Sequence, residues 1–180
     1  MSYKKRFALI IATSVYEDQE LKKLIAPAQD AQLLAEVLAD PKIGEFNVRV
    51  LLNEPYFKIK EEIENFLIST QRSDFILLYF SCHGIKNKQG LLFFAAKDTN
   101  RKLLESTGIS ANFVNDLIRE NRSRQQLLLL DCCFSGAFAK EMRAKSDGRV
   151  HVKDYFEMDE YSQEDRGRVI ITASDSLQYS

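Results

Sequence analysis

Residues 125–136 read QQLLLLDCCFSG. Four consecutive leucines are stopped by Asp131, by the adjacent thiols Cys132 and Cys133, and by a Phe-Ser-Gly turn. A short apolar run that ends this way predicts a buried strand delivering nucleophilic chemistry at its C-terminal end. Residues 75–84, FILLYFSCHG, have the same grammar and end in His83 and Gly84. Together the two stretches predict adjacent parallel strands that bring a cysteine and a histidine side by side.

The rest of the chain fits around that pair. Residues 7–12 (FALIIA), 47–52 (NVRVLL) and 169–173 (VIITA) read as further strands, the first nearly all apolar as a strand covered on both faces should be. Between them, residues 24–38 place Leu24, Ala28, Ala31, Leu34, Ala35 and Leu38 at helical spacing, and residues 59–68 do so with Ile59, Ile63, Phe66 and Leu67. Asp40-Pro41 ends the first helix, because the residue before a proline is pushed out of the helical region. Residues 90–96 suggest a short hairpin or excursion, and Ser110 is a suitable N-cap for a helix carrying Phe113, Leu117 and Ile118. Residues 140–167 are rich in charge and lack a sustained period, which reads as a mobile loop. Alternating strands and helices predict a single α/β domain over residues 1–180, with a mostly parallel sheet and helices on both faces.

Composition narrows the partners. In 180 residues the apolar fraction is 45%, the charged fraction 28%, and the formal net charge −1. There is no bulk field to attract nucleic acid or an anionic membrane, so neither is expected as a partner. No apolar run approaches the length of a bilayer span, and the N-terminus has too short an apolar run, without a small-residue cleavage site, to read as a signal peptide. A cytoplasmic protein is expected. The three cysteines, Cys82, Cys132 and Cys133, all end apolar strands, which suits reduced thiols better than a disulfide framework.

In a parallel sheet the working residues gather outside the carboxyl ends of the strands. Four polar clusters fall there, TSVYED, NEPY, SCHG and DCCFSG, and the last two hold nucleophile and base. A histidine is the usual base for a cysteine nucleophile. Gly84 leaves room for a backbone N–H to approach a reacting carbonyl oxygen, and the N–H of Cys133 could be its partner in an oxyanion hole. Because successive strand side chains face opposite ways, only one of Cys132 and Cys133 can face His83. The residues alone leave open which one.

FALIIATSVYED with AQDAQLLAEVL, FILLYFSCHG, LLLLDCCFSG and VIITASDSLQ, in that order, resemble the caspase fold superfamily, and within it the metacaspase-like or bacterial caspase-homologue branch. His83 stands 50 residues before Cys133, a caspase spacing. The resemblance implies a caspase-like three-layer sandwich and a cysteine endopeptidase in which Cys133 is the nucleophile, His83 the base, and Gly84 with Cys133 the oxyanion hole. It makes Cys132 a core residue. Metacaspases carry Asp-X-Cys and cut after arginine or lysine, so Asp131, Asp30 and Ser81 become the substrate pocket, two carboxylates and a hydroxyl around a guanidinium or ammonium. The chemistry needs no cofactor; calcium activates several metacaspases and is the one ion the resemblance raises, although no EF-hand spacing is present.

The sequence departs from the family pattern at Cys82, where glycine is usual, at Phe134, where histidine is common, and at Pro27, where many metacaspases have a pocket cysteine. Caspase-like sheets continue beyond the VIITAS strand, so this chain reads as the large-subunit-like portion, completed by a small-subunit-like part or a second copy. The substrate would be a protein or peptide. The alternative is a catalytically weak or inactive caspase-like interaction or scaffold domain. A nucleotide-binding domain is disfavoured because ATSVYED, not a glycine-rich loop, follows the first strand.

Overall fold

The computed structural model describes residues 5–132 and 167–172. Its order is β1 (Arg6–Ala12), α1 (Ala26–Ala39), β2 (Asn47–Leu52), α2 (Tyr56–Ile68), β3 (Phe75–Ser81), β4 (Gly84–Lys86), β5 (Leu92–Phe94), a 3-10 turn (Arg101–Leu103), α3 (Leu104–Thr107), β6 (Ile109–Ser110), α4 (Ala111–Glu120), β7 (Gln125–Asp131) and β8 (Gly167–Thr172). The main sheet is parallel throughout, in the order β2-β1-β3-β7-β8. The expected adjacency of the two decisive strands is therefore met: β3 and β7 pair from Phe75 with Gln125 to Ser81 with Asp131.

Alternation along the strands divides the core in two. On one face Leu78, Phe80, Leu128 and Leu130 pack with Ile59 and Ile63 of α2 and Val114 and Ile118 of α4. On the other, Leu77 and Tyr79 pack with Ala31 of α1, with Leu127 and Leu129 beside them. Helices thus cover both faces, as the near-continuous apolar strands require. The four positions read as the apolar stripe of α2, Ile59, Ile63, Phe66 and Leu67, are its buried residues.

Two helix starts and one cap differ from the sequence reading, each for a local reason. α1 starts at Ala26 rather than residue 24, with Pro27 in its first turn, where a fixed φ and a missing N–H cost nothing. α2 starts at Tyr56, three residues early. A cap distant in sequence, the Asp98 carboxylate, accepts from the Tyr56 N–H at 2.7 Å and satisfies an amide that the helix cannot. Ser110 stands at the N-cap of α4 as expected, but its hydroxyl makes no capping bond; its backbone belongs to β6, opposite Phe93.

The excursion at 90–96 is one strand of a small antiparallel sheet, β4-β5-β6. Gly84 opens β4 and pairs with Phe94, and Phe94 stacks on Phe80 of the main sheet with centroids 4.6 Å apart. The second sheet is thereby locked to β3 immediately after His83. The mobile loop expected at 140–167 falls outside the described residues, apart from Gly167, which already pairs with Gln125. Among the described residues no helix is long and apolar enough to cross a membrane.

Strand β1 has β2 on one side and β3 on the other, so the chain reverses its direction of growth across the sheet at β1. A crevice opens outside the carboxyl ends at such a switch point. Residues 13–24 follow β1 and His83 follows β3 at those carboxyl ends.

Candidate active site

Cys82 and Cys132 follow the paired residues Ser81 and Asp131, and the register sets them against each other: their Sγ atoms are 3.6 Å apart. Each residue is only 3% exposed. Both belong to the core on the α2 and α4 side. Burial, with Cys82 alongside, pushes the Cys132 thiol well above the usual cysteine range. A thiol held neutral in apolar surroundings is a poor nucleophile. Cys132 therefore packs, as the sequence reading has it, and Cys82 occupies the position before the His-Gly pair by turning into the same core. Cys133 lies outside the described residues.

His83 is buried just after β3 and held from three directions. Its backbone N–H donates to the Tyr16 hydroxyl at 3.1 Å, and the Tyr16 hydroxyl donates to the Thr13 carbonyl at 2.8 Å. The Tyr16 ring lies against the imidazole, centroids 4.9 Å apart. Nε2 is 2.7 Å from the Lys22 carbonyl oxygen. A carbonyl can only accept, so Nε2 is the donor, and in the neutral ring Nδ1 carries the lone pair. The backbone bond thereby fixes the tautomer and the ring plane together. Burial raises the Tyr16 phenol above the ordinary tyrosine range, so its hydroxyl stays a donor at any physiological pH.

A second cluster lies on the opposite face of the same strand ends. The Tyr79 hydroxyl donates to Asp131 Oδ2 at 3.4 Å. Burial pushes the Tyr79 phenol up to about 12; the Ser81 hydroxyl beside it opposes that rise, and the negative charges of Asp131 and Asp30 add to it. Ser81, Asp131 and Asp30, from β3, β7 and α1, thus all act on one phenol. Two carboxylates and two hydroxyls at a half-buried rim suit a guanidinium or ammonium guest.

The Tyr79 shift has a stability consequence of definite sign. Its native pKa lies above the ordinary value, so the proton is lost from the unfolded chain first as pH rises from 10 to 12. The native state therefore loses stability across that window and not below it. Tyr79→Phe should flatten the decline in urea midpoint between pH 9 and pH 11.5; an unchanged decline would remove Tyr79 as its source.

The sequence reading missed Tyr16, Lys22 and Tyr79. Tyr16 lay inside the TSVYED cluster, whose position after β1 was the available signal. Lys22 acts through its carbonyl, which no side-chain pattern reveals. Tyr79 looked like core, yet alternation puts it on the same face as Ser81. Gly84 is buried at the start of β4, and a methyl group there would meet Leu92 Cδ1 at 3.4 Å and Cys132 Cβ at 3.7 Å. Among the described residues no group of three His, Cys, Asp or Glu could hold a metal ion. The acidic residues of the 140–167 loop lie outside those described.

A family model for the caspase domain matches residues 5–180. No curated protein matches. Among solved structures, this chain is similar to protein GSU0716 from Geobacter sulfurreducens, with 19% sequence identity and a TM-score of 0.60 over 78% of this chain and 55% of that one. The chain thus spans about half the length of that structure, and the likeness is one of fold.

Proposed function

The chain belongs to the caspase domain family, and from that premise we propose that it is a cysteine endopeptidase of the metacaspase-like branch, acting on protein or peptide substrates after arginine or lysine. Family membership supports cysteine-peptidase chemistry in general. The observation that supports the finer reading is the cluster at Tyr79, where Ser81 and the Asp131 and Asp30 carboxylates act on one phenol; the bond from His83 Nε2 to the Lys22 carbonyl supports His83 as the base.

In this mechanism Cys133 Sγ gives its proton to His83 and attacks the scissile carbonyl carbon, forming a C–S bond as the carbonyl π bond opens to an oxyanion. The backbone N–H groups of Gly84 and Cys133 receive that oxyanion. Collapse breaks the C–N bond, His83 returns the proton to the departing amine, and a thioester remains. Water, deprotonated by His83, hydrolyses it and restores the thiol. Lys22 holds the imidazole while its proton load changes at Nδ1.

Asp131 and Asp30 bind the basic side chain before the scissile bond, with Ser81 at the pocket wall. We place the protein in the cytoplasm, and the chemistry itself needs no cofactor. Fluorogenic peptides ending in Arg, Lys or Asp, assayed with and without calcium, test the reading. Arg and Lys peptides should turn over and Asp peptides should not. Asp131→Asn should lower kcat/KM for the Arg peptide about tenfold to 100-fold, the worth of one charge-assisted bond. Preference for Asp, or no turnover at any calcium concentration, would sink the proposal.

A further inference from the structure

The loop that holds His83 is itself held at its base by a residue from β2's end. Asn53 adopts φ 54°, a left-handed conformation that asparagine tolerates better than most residues. Its backbone N–H donates to the Ala12 carbonyl at 2.9 Å, which registers the turn with the end of β1. Its side-chain Oδ1 accepts from two successive amides, Ser14 N–H at 2.8 Å and Val15 N–H at 3.1 Å. The Ser14 carbonyl in turn accepts from Leu24 N–H at 2.9 Å, closing residues 14–24 into a loop. Tyr16 and Lys22, the two residues that grip His83, both lie within it.

We propose that Asn53 is a positioning residue for His83: its amide oxygen fixes the base of the 14–24 loop, and the loop fixes the imidazole plane and tautomer. The inference rests on the reading of His83 as the catalytic base. Two functions meet in one side chain. The residue must accept a positive φ, and it must present an acceptor to two adjacent N–H groups. Glycine meets only the first requirement, alanine neither, and aspartate both. The middle of the loop has separate anchors, Asp18 to the Arg101 amide at 2.8 Å and Glu17 N–H to the Lys97 carbonyl at 2.9 Å. Loss of Asn53 should therefore loosen both ends of the loop, at Tyr16 directly and at Lys22 through the Ser14–Leu24 bond, without detaching its middle.

The test uses the full chain in a His151→Gln background, which leaves His83 as the single histidine. Nitrogen-15 shifts of the ring report the tautomer directly, without any substrate. The parent should give the Nε2–H pattern. Asn53→Gly should give an averaged, mixed-tautomer pattern, with kcat toward an Arg peptide down about tenfold and KM within about twofold. Asn53→Asp should restore both. A wild-type nitrogen pattern in folded Asn53→Gly would overturn the proposal. Native-state hydrogen exchange on the parent provides a second arm that needs no variant to fold: the amides of Ser14, Val15 and His83 should share one opening free energy. Independent opening of His83 would overturn the coupling. Absence of turnover in the parent would defeat the peptidase reading, and the ring shifts would still decide the role of Asn53.

Discussion

Cys133→Ala should eliminate turnover of Arg and Lys peptides, a loss on the order of 10⁴-fold or more, while Cys132→Ala keeps most of it. Removing a nucleophile removes the covalent route, and what survives is whatever the oxyanion donors and substrate binding achieve alone. Cys132 offers no substitute, because its Sγ is enclosed with Cys82 and 3.6 Å from the Phe80 carbonyl oxygen. Its replacement by alanine removes one buried sulfur and should cost stability of about 1 kcal/mol through a small cavity. The two variants therefore separate along different axes. Cys133→Ala should unfold at the parent's urea midpoint with no activity, and Cys132→Ala should unfold earlier with near-parental kcat per folded molecule. The reverse pattern would reassign the nucleophile to a thiol that must then leave the core.

Much of this was legible in QQLLLLDCCFSG and FILLYFSCHG, and the reason is physical. A parallel strand buried on both faces has to be apolar along its length, so its polar terminus is conspicuous, and alternation then sorts the residues around it. Asp131 and Ser81 fall on one face with Tyr79, and Cys82 and Cys132 fall on the other. What escaped the sequence is what depends on contact between distant segments. Asp98 caps α2 from 42 residues away, and Lys22 holds His83 through a carbonyl from 61 residues away. No local periodicity encodes either bond. Asn53 was within the NEPY cluster flagged at a strand end, but its work lies in a positive φ and an amide oxygen, which only the folded loop reveals.

The largest effect on stability should come from Phe80→Ala, at about 3–5 kcal/mol. Phe80 has no exposed surface, and its register neighbours are Ile11 on β1 and Leu130 on β7, both almost wholly buried. A cavity there is walled by backbone on two sides and cannot collapse readily. The stacked partner Phe94 would lose its contact as well, and an aromatic pair contributes about 0.5–1.5 kcal/mol beyond its area. Against the roughly 5–15 kcal/mol that holds a domain together, such a loss brings the variant close to unfolding at ordinary temperature. Phe57→Ala is the matched control: that ring is 60% exposed, and its removal should change the urea midpoint by no more than about 0.5 kcal/mol equivalent. The same contact reaches the candidate site, because Phe94 pairs with Gly84 and so fixes the strand that follows His83. A milder change, Phe80→Leu, keeps most of the volume but loses the stack. Peptidase rate should then fall in protein that far-UV circular dichroism reports as folded, and an unaltered rate would show that the β4–β5 pair holds Gly84 without help from β3.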